Sequence, residues 1–142
     1  MEKGLVLKTS VSINASKAVV WDALINPAQI KKYFFGTEAV SDWKVGSPII
    51  FKGVWEGKEY MDKGHILEFE KEKKLTYNYW SSFSGTEDIP ENYANITYEV
   101  SEQNGKTIFT LTQDRFKTKE QQEHSEKNWQ SIFSSLKAML EE

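Results

Sequence analysis

The 142-residue chain has no cysteine, only three prolines and two histidines, and no long apolar run. Without a thiol there is no disulfide framework, no thiolate nucleophile and no cysteine-held zinc or iron–sulfur centre. No apolar stretch nears the roughly 20 residues of a membrane-crossing helix. Met1-Glu2-Lys3-Gly4-Leu5 lacks the basic and apolar segments of a secretion signal, so a cytoplasmic location is expected. Neither sign of charge dominates: 18 Lys+Arg against 21 Asp+Glu leave a net charge of −3. With no basic stripe, no nucleic-acid partner is expected. Glycine-rich phosphate loops are missing, and Glu87, Asp88 and Glu91 lack a calcium-loop spacing, so neither a cofactor nor a bound metal is expected.

Aromatic residues are plentiful: five Trp, six Tyr and eight Phe. A chain of this length buries about two-thirds of the surface it would expose unfolded, enough for one core, and residues 1–142 read as a single domain. Leu5, Leu7, Val11 and Ile13 alternate as a strand. Ser16 is placed to cap a short helix through Ile25, and Asn26-Pro27 ends it and opens a second through Phe35, with Gly36 as its stop. From Asp42 the period becomes two. Ile49, Phe51, Gly53 and Trp55 share one face of a strand, and after the turn at Gly57 alternation groups Met61, His65, Leu67 and Phe69 on the next. Leu75, Tyr77 and Tyr79 follow, then a polar loop over 81–92, then a hairpin of Ile96, Tyr98 and Val100 against Phe109, Leu111 and Gln113 around Asn104-Gly105.

The last element is a helix from about Thr118 to Leu140, with an apolar stripe of Trp129, Ile132, Phe133, Leu136, Met139 and Leu140 confined to its second half. Its first half is polar all round, with Gln122, Ser125 and Glu126 on the face that continues the stripe. Hairpin-joined strands bracketed by helices read as an α+β fold, an antiparallel sheet with helices on one face. A half-polar helix over a curved sheet either overhangs in solvent or roofs a hollow. Strand glycines at 53, 57 and 64, where a sheet can bend, favour the hollow.

Catalytic constellations are sparse. His65 and Asp62 fall on opposite faces of one strand, and His124 lies on the polar helix half, so neither histidine has a partner by spacing. A pocket reading is more direct: polar-tipped groups among aromatic ones are what small-molecule sites are made of. The candidates are Phe35, Trp43, Phe51, Trp55, Tyr77, Tyr79, Trp129 and Phe133, with His65 or Gln113 as polar anchor.

The ordered segments also resemble a known family. The strand followed by Asn14-Ala15-Ser16-Lys17-Ala18-Val19-Val20-Trp21-Asp22-Ala23-Leu24 and Asn26-Pro27 resembles the opening of the START-like (SRPBCC) superfamily, and more narrowly the AHSA-type branch of bacterial relatives of the activator of heat-shock protein 90 ATPase. Gly64-His65-Ile66-Leu67-Glu68-Phe69, Lys74-Leu75-Thr76-Tyr77-Asn78-Tyr79-Trp80, Thr107 to Gln113 and Asn128-Trp129 are similar to that branch in the same order. Gln113, Asn128 and the position of Trp80 depart from its usual pattern. The resemblance implies a helix-grip fold: a curved antiparallel sheet wrapped around a long C-terminal helix, two short helices after the first strand, and a cavity between. With the aromatic candidates and the lack of a catalytic cluster, the function expected is non-catalytic binding of a small hydrophobic or aromatic ligand, lipid-like or polyketide-like. A co-chaperone-like interaction with a chaperone ATPase, through Ile50, Val54, Ile66 and Trp80 on the outer strand face, is the alternative, and a cyclase or hydrolase is the second.

Overall fold

A computed structural model describes residues 5–34, 36–55, 57–81, 87–116 and 118–141, with the side chains of Leu5 and Trp55 outside the description. Strand β1 (Leu5–Ile13) is followed by helices α1 (Lys17–Ile25) and α2 (Pro27–Tyr33), then strands β2 (Glu38–Ser41), β3 (Pro48–Trp55), β4 (Lys58–Glu70), β5 (Lys74–Tyr79), β6 (Ala94–Gln103) and β7 (Lys106–Phe116), and finally helix α3 (Lys119–Leu140). The strands form one antiparallel sheet in the order β1-β7-β6-β5-β4-β3-β2. This is the helix-grip arrangement, α+β, with α3 packed on β1 and β7 and α1 and α2 contacting β6, β7 and β2. No helix among the described residues is long and apolar enough to cross a membrane.

Local chemistry sets the helix ends. Ser16 accepts from the Val19 amide and Asn26 from that of Ala28, where Pro27 occupies the first turn, so α1 and α2 begin as the sequence indicates. The second helix stops at Tyr33 rather than Phe35, which lies outside the described residues. Thr118 caps α3 by accepting from the Gln121 amide at 3.1 Å. Thr118→Ala is expected to cost about 1 kcal/mol, read as a lower midpoint in urea with an unchanged slope; an unaltered midpoint would show that the cap contributes nothing. Strand β2, four residues long, has no counterpart in the sequence reading.

The core lies between the concave face of the sheet and the helices. Leu7, Ile13, Ile49, Phe51, Leu75, Tyr77, Ile96, Tyr98, Phe109 and Leu111 come from the sheet, and Trp129, Ile132, Phe133 and Leu136 come from the second half of α3, all buried. Edge-to-face rings link the layers, including Tyr98 to Trp129 at 6.1 Å between centroids and Phe109 to Phe133 at 5.4 Å. Helix α3 is also tied along β1 by polar contacts: Gln122 Nε2 donates to the Val6 carbonyl at 2.7 Å, Gln130 Nε2 to Thr9 Oγ1 at 3.0 Å and Lys137 Nζ to the Ser12 carbonyl at 2.8 Å, while the Asn14 amide donates to Glu141 at 2.7 Å.

Strand β4 corrects the sequence reading. Its inward residues at the start are Asp62, Gly64 and Ile66, whereas Met61, His65 and Leu67 are exposed. The cause is a bulge: the register with β5 shifts between Ile66 and Glu68, so Phe69, past the bulge, turns inward against Trp21. Alternation carried back from Phe69 therefore assigns the wrong face to everything before the bulge. Ile66, expected on the outer face, is 1% exposed.

Candidate functional site

One inner face and one helix face converge on a hollow of about 170 Å³. The period of two puts Tyr60 and Asp62 of β4 side by side, and likewise Tyr77 and Tyr79 of β5. Phe51 pairs with Asp62 across the β3–β4 ladder, and Tyr77, Ile96 and Gln113 form one row across β5, β6 and β7. The roof is the half-polar stretch of α3. Ser125, Asn128, Trp129 and Ile132, spaced by three and four, share one helix face over the sheet. Phe34 and Thr37, between α2 and β2, close the side. Asn128 is itself exposed, so the hollow reaches the surface there.

Three polar arrangements line it. Tyr79 donates its hydroxyl to Asp62 Oδ2 at 2.7 Å. Thr37 and Tyr60 share a short hydroxyl–hydroxyl bond. Gln113 Oε1 accepts from both Ser125 Oγ and Trp129 Nε1, each at 3.2 Å, and because an indole N–H only donates, this fixes which end of the amide faces the helix. Behind the wall, the Tyr77 and Tyr98 hydroxyls meet at 2.9 Å. Burial, and then the neighbouring Asp62 carboxylate, push the Tyr79 phenol well above its usual range. It stays a neutral donor at physiological pH. Burial does the same to Tyr77, and pushes Tyr98 up to about 12. Among the described residues no group of His, Cys, Asp and Glu is assembled to hold a metal ion. The arrangement can enclose a ring-sized apolar body, offer it hydroxyl and amide partners, and present one carboxylate.

The expected site residues separate into groups. Phe51, Tyr77, Tyr79, Gln113 and Trp129 line the hollow. Phe133 lies deeper, buried against Phe109 and Trp129. Trp43 packs at the edge of the core beside Leu24 and Ile49, with a left-handed backbone (φ 57°). His65 is exposed, and its backbone amide donates to Asn78 Oδ1 at 2.6 Å; the bulge in β4 is why its side chain faces away. Phe35 and the Trp55 side chain lie outside the described residues, as do residues 82–86 of the loop expected to border the opening. Asp62, Tyr60 and Thr37 escape the sequence reading. Gly64, sharing their parity with Ile66, was the available signal that this face of β4 runs against something close.

Sequence and structure comparisons agree on the relatives. The family model described as activator of Hsp90 ATPase homolog 1-like protein matches residues 14–141. No curated protein matches the chain. Among solved structures, a solution structure of a Cytophaga hutchinsonii protein is 45% identical over 99% of this chain and 97% of that one, with a TM-score of 0.86. The Aha1 dimer from Colwellia psychrerythraea, 18% identical, covers 96% of each chain with a TM-score of 0.75. DynU16, a protein in the dynemicin biosynthetic locus, is 14% identical with a TM-score of 0.79, matching 96% of this chain and 47% of its own. The last two likenesses concern the fold.

Proposed function

The chain belongs to the family of activator of Hsp90 ATPase homolog 1-like proteins, and on that premise we propose that it acts as a single domain that binds a small hydrophobic or aromatic ligand without transforming it. The observation that carries this reading is the hollow of about 170 Å³ between the sheet and α3, walled by Phe51, Tyr77, Tyr79 and Trp129. A cavity of about 150 Å³ is enough to hold a benzene ring, so the space suits one ring or a short branched segment of a larger molecule. Fixed hydrogen-bonding groups in an aromatic wall orient such a ligand. The likeness to a fold found in the dynemicin biosynthetic locus supports a polyketide-like ligand. Non-catalytic binding is favoured because the described lining pairs its one carboxylate with a phenol and holds neither histidine nor lysine.

A thermal-shift screen with small aromatic, polyketide-like and fatty-acid compounds, followed by chemical-shift mapping, tests the reading. Ligand at a hundredfold excess over its Kd is expected to stabilise the fold by about 2.7 kcal/mol, with perturbations at Tyr79, Gln113 and Trp129. Absence of any stabilisation across the three classes would reject it. One observation favours the chaperone-contact reading instead. On the outer face of β3 and β4, Val54 is 61% and Met61 49% exposed, an apolar surface in a position to meet a partner.

A further inference from the structure

The Gln113 amide goes further than the shape of the hollow. Its Oε1 takes both the Ser125 hydroxyl and the Trp129 indole N–H, and the indole, which only donates, excludes the flipped amide. The other end of the amide, Nε2, carries two N–H bonds, and none of the described residues accepts from it. Nor is that nitrogen sealed in the core: among the described residues the enclosed side-chain donor without a partner is the Trp21 indole N–H. Gln113 lines the hollow from β7 in one row with Ile96 and Tyr77, so a pair of donors stands at one end of a floor whose other end is aromatic. Rings continue overhead to the amide itself. Phe34 stacks on Phe51 at 6.1 Å between centroids and meets Trp129 edge-on at 5.9 Å, and Trp129 is a residue that holds Gln113.

Two costs decide what suits these donors. A ligand that expels water from the hollow and brings no acceptor leaves the N–H groups unpaired in a dry site, and a donor left without a partner loses more than a made hydrogen bond gains. An anionic acceptor is stripped of water with no cation to pair it, since none of the described lining residues is Lys, Arg or His. A carbonyl oxygen meets neither cost: it is uncharged, offers two lone pairs and brings no proton that needs an acceptor of its own.

Resting on the reading of this hollow as a ligand site, we propose that it selects a neutral ring bearing a carbonyl group, an aryl ketone, amide or lactone, and that Gln113 Nε2 receives the carbonyl oxygen while Phe34, Phe51 and Trp129 hold the ring. Gln113 then reads the ligand with one end of its amide while α3 fixes the other.

Acetophenone and α-methylstyrene share one outline and differ in carrying a carbonyl or a methylidene group on the ring, and benzoate adds a charge, so the three form the test. Titrated at neutral pH into the isotope-labelled protein, acetophenone is expected to move the Gln113 side-chain amide proton signals downfield, and α-methylstyrene to leave them nearly in place while perturbing Trp129. Benzoate is expected to bind at least about tenfold more weakly than acetophenone. Gln113→Glu keeps an oxygen for Ser125 and Trp129 and replaces the two donors by a second acceptor. In that variant the affinity for acetophenone is expected to fall about tenfold or more while that for α-methylstyrene changes less than about threefold. Acetophenone that binds without moving the Gln113 amide proton signals overturns the assignment, a readout on the wild-type protein that stands whether or not the variant folds. Benzoate binding as tightly as acetophenone, or a folded Q113E variant that keeps full affinity for acetophenone, overturns it too. If none of the three binds, the ligand-site reading itself fails and takes the carbonyl preference with it; binding of α-methylstyrene alone overturns the preference and leaves the site.

Discussion

Stability is expected to stay level up to about pH 9 and then to fall by about 4 kcal/mol per pH unit above about pH 10, because three buried phenols resist ionisation in the folded protein. These are Tyr33, whose hydroxyl donates to the Ala23 carbonyl at 2.8 Å, and the paired Tyr77 and Tyr98. Burial raises each above the ordinary value of 10.0, Tyr98 to about 12. The sign follows from proton counting. Below pH 10 the phenols are neutral in both states, and the interactions of the neutral forms contribute in full. Above it, the unfolded chain releases protons that the folded chain keeps, so the unfolded state is stabilised relative to the folded one by up to about 1.4 kcal/mol per unit for each group. A domain of ordinary stability, about 5–15 kcal/mol, cannot sustain that slope for long. Tyr79, less deeply enclosed and beside Asp62, adds to it in the same direction. Urea unfolding measured from about pH 7 to 11 checks the slope, and Tyr33→Phe should flatten it by one group's share, about 1.4 kcal/mol per unit. Equal stability at about pH 8 and pH 11 would mean the buried phenols are not what the fold protects.

Replacing Gly64 by alanine is expected to cost about 3–5 kcal/mol, lowering the melting temperature by roughly 10 °C or more. A Cβ at this position would stand 1.7 Å from the Asn78 carbonyl oxygen and 2.6 Å from its carbon. Those are backbone atoms, so no rotamer change relieves the overlap, and β4 and β5 would have to separate where the Asn78 side chain accepts from the His65 amide. Gly57 provides the control: its φ of +80° disfavours a side chain, but nothing lies within 4 Å, so Gly57→Ala should cost only about 1 kcal/mol. Calorimetry of the two variants side by side decides it. A Gly64→Ala protein within about 1 kcal/mol of the parent would show that the strands part freely there.

Gly64 also marks where the sequence stops being legible. Parity places Phe51, Tyr77, Tyr79 and Gln113 on the inner face because β3, β5, β6 and β7 keep one phase through those residues, and the three-and-four spacing places Trp129 on the covered face of α3. In β4 the apolar residues themselves mislead: Met61, Leu67 and Phe69 share a parity, yet the bulge after Ile66 puts only Phe69 inside. Asp62 and Tyr60 go unrecognised for the same reason, since they join the site only once β4 is phased from its N-terminal half. Thr37 is beyond pattern reading altogether; its partner, Tyr60, is 23 residues away and reaches it across Gly53, whose missing side chain leaves room for the ring. The half-polar α3 is the reverse case, where an amphipathic stripe that ends early correctly signals a space beneath it.

The polar ties between α3 and β1 join residues 116 to 127 positions apart. Contacts of such span form late, because nearly all of the chain must be brought together before any of them contributes. During synthesis the sheet therefore emerges from the ribosome with Tyr98 and Phe109 not yet covered by Trp129 and Phe133 of α3. A nascent chain arrested before α3 has an uncovered apolar face, the kind of surface that makes partly folded chains prone to aggregate. Addition of α3 covers that face and closes the hollow beneath it in a single late event.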